Sequence, residues 1–183
     1  MMSAIPRMML LVFVVIVCMI AFAVLMAAIG LSFTIVKHNR SPICKKSVIT
    51  AFVAVAVAAV SWVLNFGWYR FIMTFVAVPI VHGMVFLISD LFFCKYVDKS
   101  SSLLKLNIFY VLSYLLTYLF FPDGGDTGTM YFMFGLIHSD ILSFVAFFIS
   151  AIAFVCSVIL LVVQIVMVIK LKKASFKSEV DIV

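Results

Sequence analysis

Five long apolar stretches lie between clusters of Lys and Arg in this chain. Eleven of its thirteen Lys and Arg residues lie in residues 37–46, in residues 95–105 and in the tail from residue 170 onward. The other two are Arg7 and Arg70. Because basic residues beside membrane spans are biased toward the cytoplasm, this arrangement predicts both the spans and their orientation.

The composition excludes an ordinary soluble domain. Hydrophobic residues make up 67% and charged residues 11% of the chain, against about 45–50% and about 25% in soluble proteins. A soluble domain of 183 residues could not bury so much apolar surface. The net charge of +6 does not indicate nucleic-acid binding, because the basic residues form short clusters and no continuous face. We expect them to orient the spans and to contact anionic membrane lipid.

We therefore predict an all-α integral membrane protein, with residues 1–183 forming one bundle of five transmembrane helices. The N-terminus is predicted outside and the C-terminus in the cytoplasm, since the reverse orientation would place eleven basic residues outside and two inside. An alternative has four spans, with the first apolar run processed or peripheral. The predicted spans cover residues 8–36, 48–66, 71–94, 106–121 and 141–169.

The connections are also informative. Residues 122–140 form a predicted external loop that begins with Pro122 and several glycines, which favour turns. Within it, residues 130–137 are apolar but too short to span, so we predict a short interfacial or re-entrant helix before the last span. Pro79 is expected to bend the third span. Residues 170–183 form a predicted basic cytoplasmic tail.

Small and weakly polar residues recur along three of the spans. Such residues mark helix interfaces in membranes, because they let backbones approach closely. We expect the small face of the second span to pack against the first span, and the alternative to pure packing is a narrow polar path between the fourth and fifth spans. The helix-packing candidates are Ala51, Ala54, Ala58 and Ser61 in the second span, Asn107, Tyr110, Tyr114 and Thr117 in the fourth, and Ser143, Ser150, Ser157 and Gln164 in the fifth.

Two ionisable residues lie inside the third span and form a candidate intramembrane polar site. His82 is either a functional group or a neutral imidazole bonded to a Ser, a Tyr or the carbonyl that Pro79 frees. Asp90 is expected either to pair with a cytoplasmic lysine or to take part in proton transfer. These two residues are about 12 Å apart along a helix, too far for direct contact.

The external loop supplies a candidate recognition segment that contains Asp123, Asp126, His138 and Asp140. These residues have no recognised metal-ligand spacing, so turn formation is favoured over a cation site. Cys44 and Cys94 fall on the predicted cytoplasmic side, where thiols stay reduced, and no structural disulfide is expected.

No catalytic, cofactor-binding or metal-binding motif is present, so we do not expect an enzyme. The first functional hypothesis is a multi-pass protein of the bacterial inner membrane that binds another membrane component. An immunity protein against a membrane-active toxin and an accessory subunit of a membrane complex are examples, and self-association is compatible with both. The alternative is a small proton- or cation-coupled transporter or channel that uses His82 and Asp90.

Overall fold

The computed structural model describes residues 41–97, 100–124 and 129–180, and these ranges are mostly helical. The predicted span over residues 8–36 lies outside them. In chain order, the elements are helices α1 (Pro42–Leu64), α2 (Trp68–Phe75), α3 (Val78–Val97) and α4 (Ser101–Leu119), strands β1 (Tyr131–Phe132) and β2 (Ile137–His138), and helix α5 (Asp140–Val180).

Helix α1 starts at a well-defined cap and buries its small face. The Ser41 hydroxyl accepts the backbone N–H of Cys44 at 3.4 Å, and Pro42 follows at the first helical position, where no N–H partner is required. We expected the small face of this span to meet the first span. The first span lies outside the described residues, so that contact stays a prediction. In the described part of the chain, aromatic side chains of α3 and α4 pack on this face, with Phe86 and Tyr110 against the alanines.

The predicted third span is two helices. The ring of Pro79 is incompatible with a helical carbonyl four residues earlier, at Phe75, and α2 ends at that residue. The chain then turns through Ala77, which has a φ of 60°, and α3 continues at an angle of 64° to α2. The break therefore precedes the proline, which lies in the first turn of α3.

Helices α4 and α5 pack side by side through their polar stripes. The Ser100 hydroxyl caps α4 by accepting the N–H of Leu103 at 3.4 Å. Along the interface, Ser150 donates its hydroxyl to the carbonyl of Thr117 at 2.7 Å. At about 1.5 Å per residue, the 41 residues of α5 form a helix longer than the ~30 Å hydrocarbon core.

The predicted interfacial helix over residues 130–137 is wrong, because these residues form a β-hairpin. Tyr131 pairs with His138 and Phe132 pairs with Ile137 in an antiparallel register. The turn between the strands has positive φ angles at Met133 (48°), Phe134 (62°) and Gly135 (75°), which an α-helix does not allow.

Among the described residues, three helical segments are long and apolar enough to cross a membrane, namely Pro42–Leu64, Ser101–Leu119 and Asp140–Lys173. The bent pair α2 and α3 adds a fourth if it is counted as one broken span. The chain therefore has the features of a helical membrane protein. Exposed apolar side chains cover the outer face of α5, as expected for a helix in contact with lipid.

Candidate functional site

A buried polar cluster joins four helices around Asp90. We call Ser47, Asp90, Asn107 and Gln164, from α1, α3, α4 and α5, the Asp90 cluster. Ser47 donates its hydroxyl to Asp90 Oδ1 at 3.0 Å, and Asn107 Nδ2 donates to the same oxygen at 2.8 Å. Gln164 Nε2 donates to Asn107 Oδ1 at 3.4 Å. The cluster therefore connects the polar faces of four helices at one level of the bundle.

The charge of Asp90 has no described basic partner. Asp90 is 0% exposed, and its bonding partners are the neutral Ser47 and Asn107. Among the described side chains, neither Lys45 nor Lys46 pairs with it, and the side chain of Lys95 lies outside that description. The Oε1 atom of Gln164 is also buried and has no hydrogen-bond partner within the described ranges.

His82 occupies a second site nearer the start of α3, where both ring nitrogens are bonded. Ser157 donates its hydroxyl to the carbonyl of Phe154 at 2.7 Å, so its oxygen accepts the Nε2–H of His82 at 3.0 Å. The Nδ1 atom of His82 is then the acceptor for the Tyr118 hydroxyl at 2.9 Å. This pattern fits a neutral ring. Its partners are a Tyr and a Ser, two of the three kinds of partner that the sequence analysis named for a neutral imidazole.

Tyrosines on α4 fill the space between these two sites. Tyr114 stacks on Phe86 with ring centroids 4.0 Å apart, and the Tyr110 hydroxyl lies 3.2 Å from the hydroxyl of Ser89. Ser89 is a buried polar residue that the sequence analysis did not select. Its position one residue before Asp90 was the available signal.

Arg70 is a further buried polar residue that the sequence analysis left without a role. It is 0% exposed, and its Nη1 donates to the carbonyl of Ser61 at 2.6 Å. Its Nη2 donates to the carbonyls of Tyr118 (3.3 Å) and Phe121. These carbonyls lie near the C-terminal ends of α1 and α4, where the helix dipole attracts a cation. The guanidinium also lies 4.8 Å from the ring centroid of Trp62.

Asp123 is buried and caps helix α2 from a distant part of the chain. Its Oδ2 accepts the backbone N–H groups of Gly67 at 2.9 Å and Arg70 at 2.8 Å. Its Oδ1 accepts those of Tyr69 at 3.2 Å and Gly124 at 2.8 Å. A Cβ atom at Gly67 would lie 2.5 Å from Asp123 Oδ1, so this approach requires glycine. We call Gly67, Arg70 and Asp123 the Arg70–Asp123 junction.

The other members of the candidate recognition segment lie apart from this junction. His138 is exposed and its Nε2 donates to the carbonyl of Gly135 at 2.8 Å. Asp140 is exposed, is the first residue of α5 and accepts the N–H of Met130 at 2.9 Å. Asp126 lies outside the described residues. The structure therefore separates a buried structural carboxylate from two exposed side chains beside the hairpin.

The packing candidates all lie on buried faces. In α1 these are Ala51, Ala54, Ala58 and Ser61, and in α5 they are Ser143, Ser150, Ser157 and Gln164. Ser143 Oγ is buried without a hydrogen-bond partner among the residues that the structure describes.

The expectation about cysteines is wrong. Cys44, in the first turn of α1, and Cys94, near the end of α3, form a disulfide with Cα atoms 4.6 Å apart. They meet because the small face of α1 packs directly on α3. Cys156 is a free, exposed cysteine.

Within the described ranges, no group of three His, Cys, Asp or Glu side chains could hold a metal ion. No protein-family model matches the chain, and comparisons with curated proteins and with solved structures find no match. The fold and these polar groups are therefore the basis for a functional proposal.

Proposed function

We propose that this chain is a multi-pass protein of the bacterial inner membrane that acts by binding another membrane component. A membrane-active toxin that it neutralises, or a membrane complex to which it adds a subunit, is the kind of partner that we propose. In this proposal the chain has five spans, an external N-terminus and a cytoplasmic C-terminus. Self-association of copies is compatible with it.

The observation that supports this proposal is the exposed hairpin, which is hydrogen-bonded to a buried base. Leu136, at the hairpin turn, is 77% exposed and Ile141, at the start of α5, is 80% exposed. Exposed His138 and Asp140 lie between them. Backbone bonds between Asp123 and Tyr131 (2.8 and 2.9 Å) tie the hairpin to the Arg70–Asp123 junction. Apolar side chains next to exposed polar ones, presented by a fixed backbone, are typical of recognition surfaces.

Photocrosslinking in intact cells tests the proposal. A photoreactive amino acid at Leu136 should crosslink to one discrete protein. The same residue at Ile159, which is exposed on α5, should give only lipid adducts. The additional substitution His138→Ala, in the chain that carries the probe at Leu136, should reduce the crosslink. Equal protein crosslinking from both positions, or none from the hairpin, would contradict the proposed surface.

Fusion reporters test the orientation. We expect a cytoplasmic signal from a reporter fused after Ser101 or Lys173 and an external signal from one fused after Gly124, because of the distribution of Lys and Arg. An external signal after Ser101 would exclude the five-span topology.

A small proton- or cation-coupled transporter is the second candidate function. The burial of Asp90 without a basic partner among the described side chains favours it, because unpaired intramembrane carboxylates often mark ion pathways. Purified protein in liposomes should then conduct protons or cations, and both His82→Ala and Asp90→Asn should abolish the flux. Absence of flux in the wild type would remove this candidate.

A further inference from the structure

The Asp90 cluster contains a carboxylate whose charge is not balanced by any described side chain. Asp90 is fully buried, and both of its bonding partners are neutral. Hydrogen bonds from Ser47 and Asn107 stabilise the carboxylate but leave its net charge in place. An unbalanced charge inside a membrane bundle is unfavourable, so the cluster needs a positive charge or a proton.

Gln164 provides an independent indication of a ligand. It is 0% exposed, and its amide reaches the cluster through Nε2, which donates to Asn107 Oδ1 at 3.4 Å. No described residue donates a hydrogen bond to its carbonyl oxygen, Oε1. A buried acceptor without a donor is unfavourable, and a bound cation would satisfy it.

The donor atoms of the cluster are the oxygens that hard cations prefer. They include the Asp90 carboxylate, the Ser47 hydroxyl and the Gln164 carbonyl. Oδ2 of Asp90 has one long contact, to Ser47 at 3.3 Å, whereas Oδ1 has two shorter ones. The cluster holds a single carboxylate and several neutral oxygens, which matches one positive charge, whereas divalent ions are generally held by more than one carboxylate.

The cluster is closed at both ends, which would hold an ion away from bulk water. Toward the start of α1 and the end of α3, the buried residues Cys44, Val48, Leu91 and Cys94 pack together. Toward the middle of the bundle, Phe86 and Tyr110 close it, with ring centroids 4.9 Å apart. Electrostatic attraction is strong in such a dry environment.

We propose that the Asp90 cluster binds one sodium ion between α1, α3, α4 and α5, with the Asp90 carboxylate supplying the charge and Gln164 Oε1 a neutral ligand. The ion would join the four helices at this level of the bundle. This inference is independent of the proposed partner.

The test is the sodium dependence of unfolding of the full chain in mild detergent, with choline chloride keeping the ionic strength constant. At about one hundred times the Kd, sodium should raise the unfolding midpoint of the wild type by roughly 5–10 °C. Asp90→Asn should remove this rise. In choline its unfolding midpoint should be no lower than that of the wild type, since the substitution also removes the unbalanced charge. Gln164→Leu should weaken the sodium dependence. Ser89→Ala, which changes the neighbouring hydroxyl, should retain it.

A direct binding measurement keeps the proposal testable if a variant does not fold. Radioactive sodium should bind the wild type at one ion per chain and be displaced by unlabelled sodium but not by choline. Equal midpoints in sodium and choline, or an equal sodium effect in Asp90→Asn, would overturn the proposal. Stabilisation by acid alone, without a sodium effect, would show that Asp90 takes a proton and would also overturn it.

Discussion

Replacing Asp123 should destabilise the protein far more than replacing Asp140, the other described loop carboxylate that accepts a backbone N–H. In Asp123→Ala, three N–H groups at the start of α2 lose their acceptor. An exposed helix cap contributes about 0.5–2 kcal/mol. Here the backbone N–H of buried Arg70 would also be left without a water molecule to replace the lost acceptor, which adds about 1–3 kcal/mol to the loss of stability. The attraction between the carboxylate and the buried guanidinium is lost as well, so we expect a total loss of about 3–5 kcal/mol.

Asp140→Ala is the matched control. Asp140 is also a loop carboxylate that accepts a backbone N–H, but it accepts one bond, from Met130 at 2.9 Å, at an exposed position. Water can replace it there, so the loss should be about 1 kcal/mol or less. Asp123→Asn keeps one acceptor oxygen and should lie between the two.

The assay is denaturant unfolding in mild detergent, followed by tryptophan fluorescence. Both tryptophans of the chain adjoin the junction, because Trp62 lies beside the Arg70 guanidinium and Trp68 begins α2. Circular dichroism, recorded in parallel, separates local loosening of α2 from global unfolding. Equal losses for Asp123→Ala and Asp140→Ala by both probes would refute the capping argument.

Two further predictions follow from the packing of α1. Ala54→Leu should lower the unfolding free energy by about 1–3 kcal/mol, because Ala54 is only 2% exposed and packs against α3 and α4. Val53→Leu, at a 56% exposed position, should change the unfolding free energy by less than about 0.5 kcal/mol. Similar losses at both positions would argue against this interface. In protein purified in air without reductant, alkylation after denaturation should label two fewer cysteines than after reduction, and the difference should vanish in the double variant Cys44→Ser, Cys94→Ser. An unchanged label count on reduction would contradict the disulfide.

The sequence carries information about which helix faces are polar or small, but less about what covers them. The heptad spacing of Ser143, Ser150, Ser157 and Gln164 is readable because residues seven apart share a face. The partner of each residue is set by the packing of other helices. For the same reason, the small face of α1 is visible in the sequence, but its contact with Phe86 is not.

The prediction at the hairpin failed because an apolar run of eight residues does not distinguish a helix from a strand. Gly135 was the local signal for a turn. The extended conformation at the start of the run is also favoured by backbone pairing of Tyr131 with Asp123, which lies outside the run. The disulfide was missed for a different reason. Its exclusion rested on the compartment assigned to the residues, whereas proximity depends on how α1 meets α3.

The Arg70–Asp123 junction was not predictable from spacing. Arg70 lies in a short helix of eight residues, and the carboxylate that caps this helix is 53 residues away. Local capping patterns involve residues within one turn, so no sequence pattern connects the two.

The long separation within this junction has a consequence for the order in which the chain assembles. When residue 70 leaves the ribosome, Asp123 has not yet been synthesised, and at about 5–20 residues per second it follows roughly 3–10 s later. During that interval the N–H groups at the start of α2 must be satisfied by water or lipid headgroups, and Arg70 lacks the carbonyls of α4. The contacts that fix the start of helix α2 therefore form only after Asp123 has been synthesised.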